Sequence, residues 1–171
     1  MRRTLLPLLL VAAAPAALAQ GKGAALLDGF ETLAPWRASA SDGVGSAIAS
    51  VPGTTGKALR LDYDFARVSG YAFAQRTLPV NFPDNYLLSF RIRGTGGVND
   101  LQLKFADASG ANVWWHERRN FRPSAEWQTI RIRPRDMAFA WGPTDDKALR
   151  RTASVELVLV RGRDGGAGYL E

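Results

Sequence analysis

Leu101-Gln-Leu-Lys-Phe-Ala-Asp-Ala-Ser-Gly-Ala-Asn-Val-Trp-Trp-His-Glu-Arg-Arg119 is the stretch that decides the fold class. Leu101, Leu103 and Phe105 alternate with Gln102 and Lys104, the period of a strand with one buried face. Asp107-Ala-Ser-Gly110 supplies turn chemistry, and a second extended run follows, so the stretch predicts a β-hairpin. On the second strand Asn112, Trp114, His116 and Arg118 share one face, and Val113, Trp115, Glu117 and Arg119 share the other. One face can anchor a core while the other binds.

The same period recurs along the chain. Leu59, Leu61, Tyr63 and Phe65 alternate with Arg60, Asp62 and Asp64; Leu88, Phe90 and Ile92 with Ser89 and Arg91; Ile130 and Ile132 with Thr129, Arg131 and Arg133; Val155, Leu157 and Leu159 close the series. Turn residues separate these runs at Pro52 to Gly56, Asn81 to Asn85, Gly94 to Asn99 and Arg163 to Gly166. Only Thr144 to Arg151 has the makings of a helical turn, with Thr144 or Asp145 as its cap. Many short antiparallel strands predict an all-β, two-sheet antiparallel sandwich. Gly168-Tyr-Leu-Glu171 reads as a strand just beginning, so the expectation is a sandwich lacking its final strand and a domain that continues past the end of this sequence.

Arg2 and Arg3, the apolar run Leu5 to Ala14, and Ala17-Leu18-Ala19 read as a signal peptide over residues 1–19. The run is short and carries Pro7, with Pro15 just beyond it, which argues against a transmembrane anchor. Residues 20–171 then form one domain, large enough to bury a core. With no cysteine, the fold has no disulfides, and thiol nucleophiles and zinc-thiolate sites are excluded. An exported chain rich in Ala, Arg and Gly suggests a secreted or periplasmic bacterial protein. The charge is +6, or +4 without Arg2 and Arg3, and the arginines crowd the second half. An acidic polysaccharide is a conceivable partner, although solvated strand faces explain the arginines as well. Export and the lack of a recognition motif argue against nucleic acid.

An indole flanked by amide, imidazole and guanidinium groups suits a sugar ring, whose C–H face packs on the aromatic while its hydroxyls meet fixed donors and acceptors. The expected ligand-binding set is therefore Asn112, Trp114, His116 and Arg118, joined by Trp141. Only one of Trp114 and Trp115 can face outward; Trp114 is the expectation and Trp115 the alternative. Trp36 and Trp127 read as structural, and Trp141, before Gly142-Pro143, either plugs the sandwich or presents itself for stacking. His116 stands alone, without the partners a zinc site or a serine triad requires. A glycosidase would need two carboxylates about 5–9.5 Å apart across a cleft. Asp62 with Asp64 or Asp145 with Asp146 offers such a pair only weakly.

Leu27-Asp-Gly-Phe-Glu31 with Trp36, Gly56-Lys-Ala-Leu-Arg-Leu-Asp-Tyr63, Tyr86-Leu-Leu-Ser-Phe-Arg-Ile-Arg-Gly94, Trp127-Gln-Thr-Ile-Arg-Ile132 and Gly165 to Tyr169 together resemble galactose-binding-like jelly-roll domains. Asn112-Val-Trp-Trp115 and Phe139-Ala-Trp-Gly-Pro143 further resemble N-terminal domains of bacterial secreted proteins that carry a discoidin-type domain. The resemblance implies a non-catalytic carbohydrate-binding module that targets an attached glycoside hydrolase or discoidin-type domain to a polysaccharide. It also implies a structural calcium near Asp28 and Glu31, although the Ile-Asp-Asp-like last strand of the family is missing here. The alternatives are a structural or protein-interaction domain, as in complex I intermediate-associated proteins, or a fragment of a glycoside hydrolase.

Overall fold

The computed structural model describes residues 24–171, so the expected signal peptide lies outside the described residues. Strands β1 (Arg37–Ala40), β4 (Tyr71–Asn81), β7 (Asn99–Ala106), β8 (Val113–Phe121), β10 (Ala138–Trp141) and β11 (Arg151–Val160) form a six-stranded antiparallel sheet in the order β1-β4-β11-β7-β8-β10. Facing it are β2 (Gly45–Pro52), β3 (Lys57–Asp64), β6 (Gly94–Thr95) and β12 (Ala167–Leu170) in the order β2-β3-β12-β6, and a ribbon of β5 (Leu88–Ile92) with β9 (Gln128–Ile132). Arg93 and Glu171 exchange backbone hydrogen bonds of 3.0 and 2.8 Å. These bonds join the ribbon to β12, so the second layer is continuous. The chain is thus all-β, a two-sheet sandwich with crossing jelly-roll connections. Among the described residues no helix is long and apolar enough to cross a membrane.

The expected hairpin is β7–β8, closed by the loop Ala108 to Ala111. Asp107 N–H donates to Asn112 O at 3.1 Å, and Gly110 takes a left-handed φ of 71° that a side chain would resist. This loop length pairs Phe105 with Trp114 and Lys104 with Trp115. Apolar residues of one parity then close the core. Phe105, Trp114 and Val155 pack with Leu59 and Leu61 of the opposite sheet, while Leu101 and Leu159 join Ile92, Ile130, Ile132 and Leu170. Phe65, Leu61, Ile132, Leu159 and Leu170 are fully enclosed, which at about 25 cal/mol per Å² makes this layer contact the main source of stability.

The residues read as a strand just beginning form a paired strand: Ala167–Leu170 are β12, inserted between β3 and β6, with Leu170 buried in the core opposite Leu61. One expectation is corrected: Thr144 to Arg151 do not form a helical turn. The Asp146 carboxylate instead accepts the Ala148 N–H at 3.0 Å and the Arg150 guanidinium at 2.9 Å, holding a local turn before β11.

Candidate functional site

The β7–β8 register decides which tryptophan is available. Trp114 lies opposite the core residue Phe105, is only 5% exposed, packs edge-on against Phe139 at 5.5 Å and donates its Nε1–H to the Lys147 carbonyl at 2.8 Å. Trp115 lies opposite Lys104 and Ala138, on the outer face of the six-stranded sheet. The expectation that Trp114 faces outward is therefore reversed. Asn112, Trp114, His116 and Arg118 do share a parity, but it is that of the core.

Trp141 reaches the outer face by a different device. Ala138 pairs with Trp115 and Phe139 with Trp114, but Trp141 rather than Ala140 pairs with Val113. The extra residue is a β-bulge, which reverses the alternation and turns Trp141 outward. Its ring stands perpendicular to that of Trp115, centroids 5.7 Å apart, and is 47% exposed. Gly142 permits the turn that follows: a Cβ there would lie 2.4 Å from Asn112 Oδ1 and 2.7 Å from the Ala111 carbonyl. The Asn112 side chain accepts the Thr144 N–H at 2.9 Å and donates to Asp107 at 2.6 Å. Asn112 thus fixes the segment carrying Trp141 without facing the site itself.

Beside the two indoles runs a polar row. Gln75, Glu156, Lys104 and Trp115 occupy directly opposed positions on β4, β11, β7 and β8, and so share the outer face over about 14 Å at normal strand spacing. Lys104 Nζ sits 5.9 Å from the Trp115 ring centroid and 5.6 Å from that of Trp141, within cation–π range. Burial lowers the Lys104 pKa, opposed by the Glu156 and Glu117 charges. Burial raises the Glu156 pKa, with Lys104 opposing it. Glu117 moves the other way, held down chiefly by its hydrogen bond from Arg119 at 2.8 Å and also by Gln102 Nε2 at 2.8 Å. The face thus offers two indoles, an ammonium, carboxylates and amides in a fixed array. Trp115, the alternative in the sequence reading, takes the outward place; Lys104 and Glu156 are not among the sequence candidates, and only the polar parity of Lys104 on β7 points to them.

The remaining sequence candidates lie away from this face. His116 Nδ1 donates to the Asp136 carbonyl at 2.9 Å, and among the described residues no group of three His, Cys, Asp or Glu side chains could hold a metal. Arg118 is exposed at the end of the core-side parity, next to an irregularity where Asn120 adopts φ 53°. Asn112 and Trp114 do reach the wall of an edge cleft of about 850 Å³ between the β7–β8 loop and the segment before β11. Asp62 accepts both Arg60 Nε and Nη2, and Asp64 accepts the Ala66 N–H at 2.7 Å. Trp36 is a core residue, and Trp127 is half-buried beside Arg91 and Arg93. Asp28 accepts hydrogen bonds from Trp36 Nε1, Phe30 N–H and the Arg76 guanidinium, while Glu31 accepts the Lys57 N–H at 3.2 Å. The Asp28 carboxylate is thus engaged by three protein donors, one of them a guanidinium cation.

No family model matches this sequence, and the search of curated proteins found no match. Solved structures share its fold. A family 11 carbohydrate-binding module from Clostridium thermocellum, in complex with a β-1,3-1,4-mixed-linked tetrasaccharide, superposes with a TM-score of 0.67 at 20% identity, covering 85% of this chain and 90% of that one. A solution structure of CtCBM11 gives 0.69 at 20% identity, covering 90% and 94%. A carbohydrate-binding module specific for non-crystalline cellulose, CBM28, gives 0.56 at 14% identity, covering 83% and 86%. The fold is therefore the jelly-roll sandwich of carbohydrate-binding modules, as the sequence resemblance implied.

Proposed function

We propose that this chain is a non-catalytic module that binds a β-glucan chain across the outer face of its six-stranded sheet. The observation that carries the reading is the convergence of Trp115 and Trp141 from two strands, one by parity and one by a bulge, beside Lys104. A bulge that exposes a tryptophan is costly for the fold, and such irregularities are over-represented where a side chain must be aimed at a ligand. The indoles supply flat apolar contact for pyranose rings, and Gln75, Glu156, Lys104 and Glu117 supply hydroxyl partners. The row extends about 14 Å, a length suited to an oligosaccharide rather than one ring. Solved modules of this fold whose descriptions name a mixed-linked glucan or non-crystalline cellulose direct the choice of β-glucan. Residues 1–19 support export, and a module of this kind works by holding an attached domain on its polysaccharide.

Affinity electrophoresis in gels containing mixed-linked β-glucan or hydroxyethylcellulose tests this. The intact chain is retarded, and Trp115→Ala weakens retardation about tenfold or more with the thermal midpoint nearly unchanged. Retardation by neither polymer, or equal retardation of Trp115→Ala, refutes it.

A further inference from the structure

The opposite side of the sandwich carries a second, differently charged surface. On the β5–β9 ribbon Phe90, Ile92, Ile130 and Ile132 point into the core, so Ser89, Arg91, Thr129 and Arg131 point out. Arg93 continues this parity beyond β5. Arg133 does so beyond β9, with an extended backbone of φ −100° and ψ 167°. The register Ser89↔Arg131 and Arg91↔Thr129 places Arg93, Arg91, Arg131 and Arg133 one after another along the ribbon. At two residues per step they sit about 7 Å apart in a row of about 20 Å. Arg91, Arg131 and Arg133 are exposed and, among the described residues, form no ion pair; Arg93 pairs with Glu171 at 2.6 Å.

We infer that this row binds a linear polyuronate, a carboxylate-bearing polysaccharide, independently of the tryptophan face. Planar guanidinium groups match carboxylates, and the Ser89 and Thr129 hydroxyls between them provide partners for ring hydroxyls. A repeated anion fits a repeated cation row better than any single small anion does. Single-stranded nucleic acid is the competing polyanion, but it is held by bases stacked on open aromatic rings. Here both aromatic side chains of this outer face are capped by arginines: Trp127 by Arg93 at 4.7 Å and Tyr169 by Arg60 at 3.9 Å.

Affinity electrophoresis of the full chain in gels containing polygalacturonate tests the inference, with single-stranded DNA in a parallel gel. Retardation by polygalacturonate is expected to fall with added salt, to survive Trp115→Ala and to resist competition by a mixed-linked glucan oligosaccharide. The double variant R91Q/R131Q should bind about tenfold more weakly, the effect of losing two exposed ion pairs. R131Q alone should show an intermediate loss, and keeps the test open if the double variant does not fold. No retardation of the intact chain, stronger binding to DNA, or loss on Trp115→Ala overturns the inference. Because the glucan reading concerns the other sheet, its failure in the neutral gels leaves this result readable.

Discussion

Trp114→Ala and Trp115→Ala differ by one position in sequence and should differ sharply in consequence. Trp114 is almost wholly enclosed, packs on Phe139 and donates a hydrogen bond to the Lys147 carbonyl. A buried indole hides about 200 Å², which at about 25 cal/mol per Å² sets an upper bound near 5 kcal/mol. Its hydrogen bond adds about 1 kcal/mol, and part of the cavity collapses, so a net loss of about 4 kcal/mol is expected, within the usual span for such truncations. Against a total stability of about 5–15 kcal/mol this is a large share. With a urea slope of about 2 kcal/mol per M, the midpoint falls by about 2 M. Trp115 is half-buried on an open face, and its removal should cost about 1 kcal/mol. Urea titration followed by far-ultraviolet circular dichroism measures both. Equal losses, or a larger loss for Trp115→Ala, would refute the assignment of the two faces.

Burial raises the Glu156 pKa, so the folded state prefers its neutral form and is penalised once the group ionises. That penalty is absent below the ordinary glutamate value of about 4.3 and grows as pH rises toward the raised folded value. Glu156→Gln should therefore raise the thermal midpoint at pH 7 and converge with the parent near pH 4; a lower midpoint at pH 7 contradicts this. Gly142→Ala forces a methyl against Asn112 Oδ1 and the Ala111 carbonyl at a φ of 137°, and should cost about 2 kcal/mol in urea titration while weakening glucan retardation through Trp141. Arg76→Met leaves Asp28 without its cationic partner in a mostly buried setting and should cost about 2 kcal/mol, measured the same way.

The sandwich is legible because several strands alternate strongly: Leu59, Leu61 and Tyr63 on β3, Leu88, Phe90 and Ile92 on β5, Leu101, Leu103 and Phe105 on β7, Ile130 and Ile132 on β9, and Val155, Leu157 and Leu159 on β11. β1 and β2 were not legible, since Arg-Ala-Ser-Ala and Gly-Ser-Ala-Ile-Ala-Ser-Val-Pro alternate small residues whose burial differs little. β12 has little sequence signal because Ala167-Gly-Tyr-Leu170 has one large core residue, yet that residue suffices to seat it. The site was half legible. The grouping of Asn112, Trp114, His116 and Arg118 follows from strand parity alone. Which group faces the core depends on the hairpin register, and a one-residue change in that register would have put Trp115 opposite Phe105. The outward turn of Trp141 rests on a bulge at Ala140, for which a four-residue strand holds no periodic signal.

The most direct measurement is a titration of the ¹⁵N-labelled chain with a β-1,3-1,4-mixed-linked glucan tetrasaccharide, following the indole N–H resonances of its five tryptophans. Binding across the six-stranded sheet predicts that Trp115 and Trp141 shift together in saturable fashion while Trp36, Trp114 and Trp127 stay in place. Shifts at Trp114 with Trp115 unmoved, or no indole shift at millimolar ligand, would contradict the account.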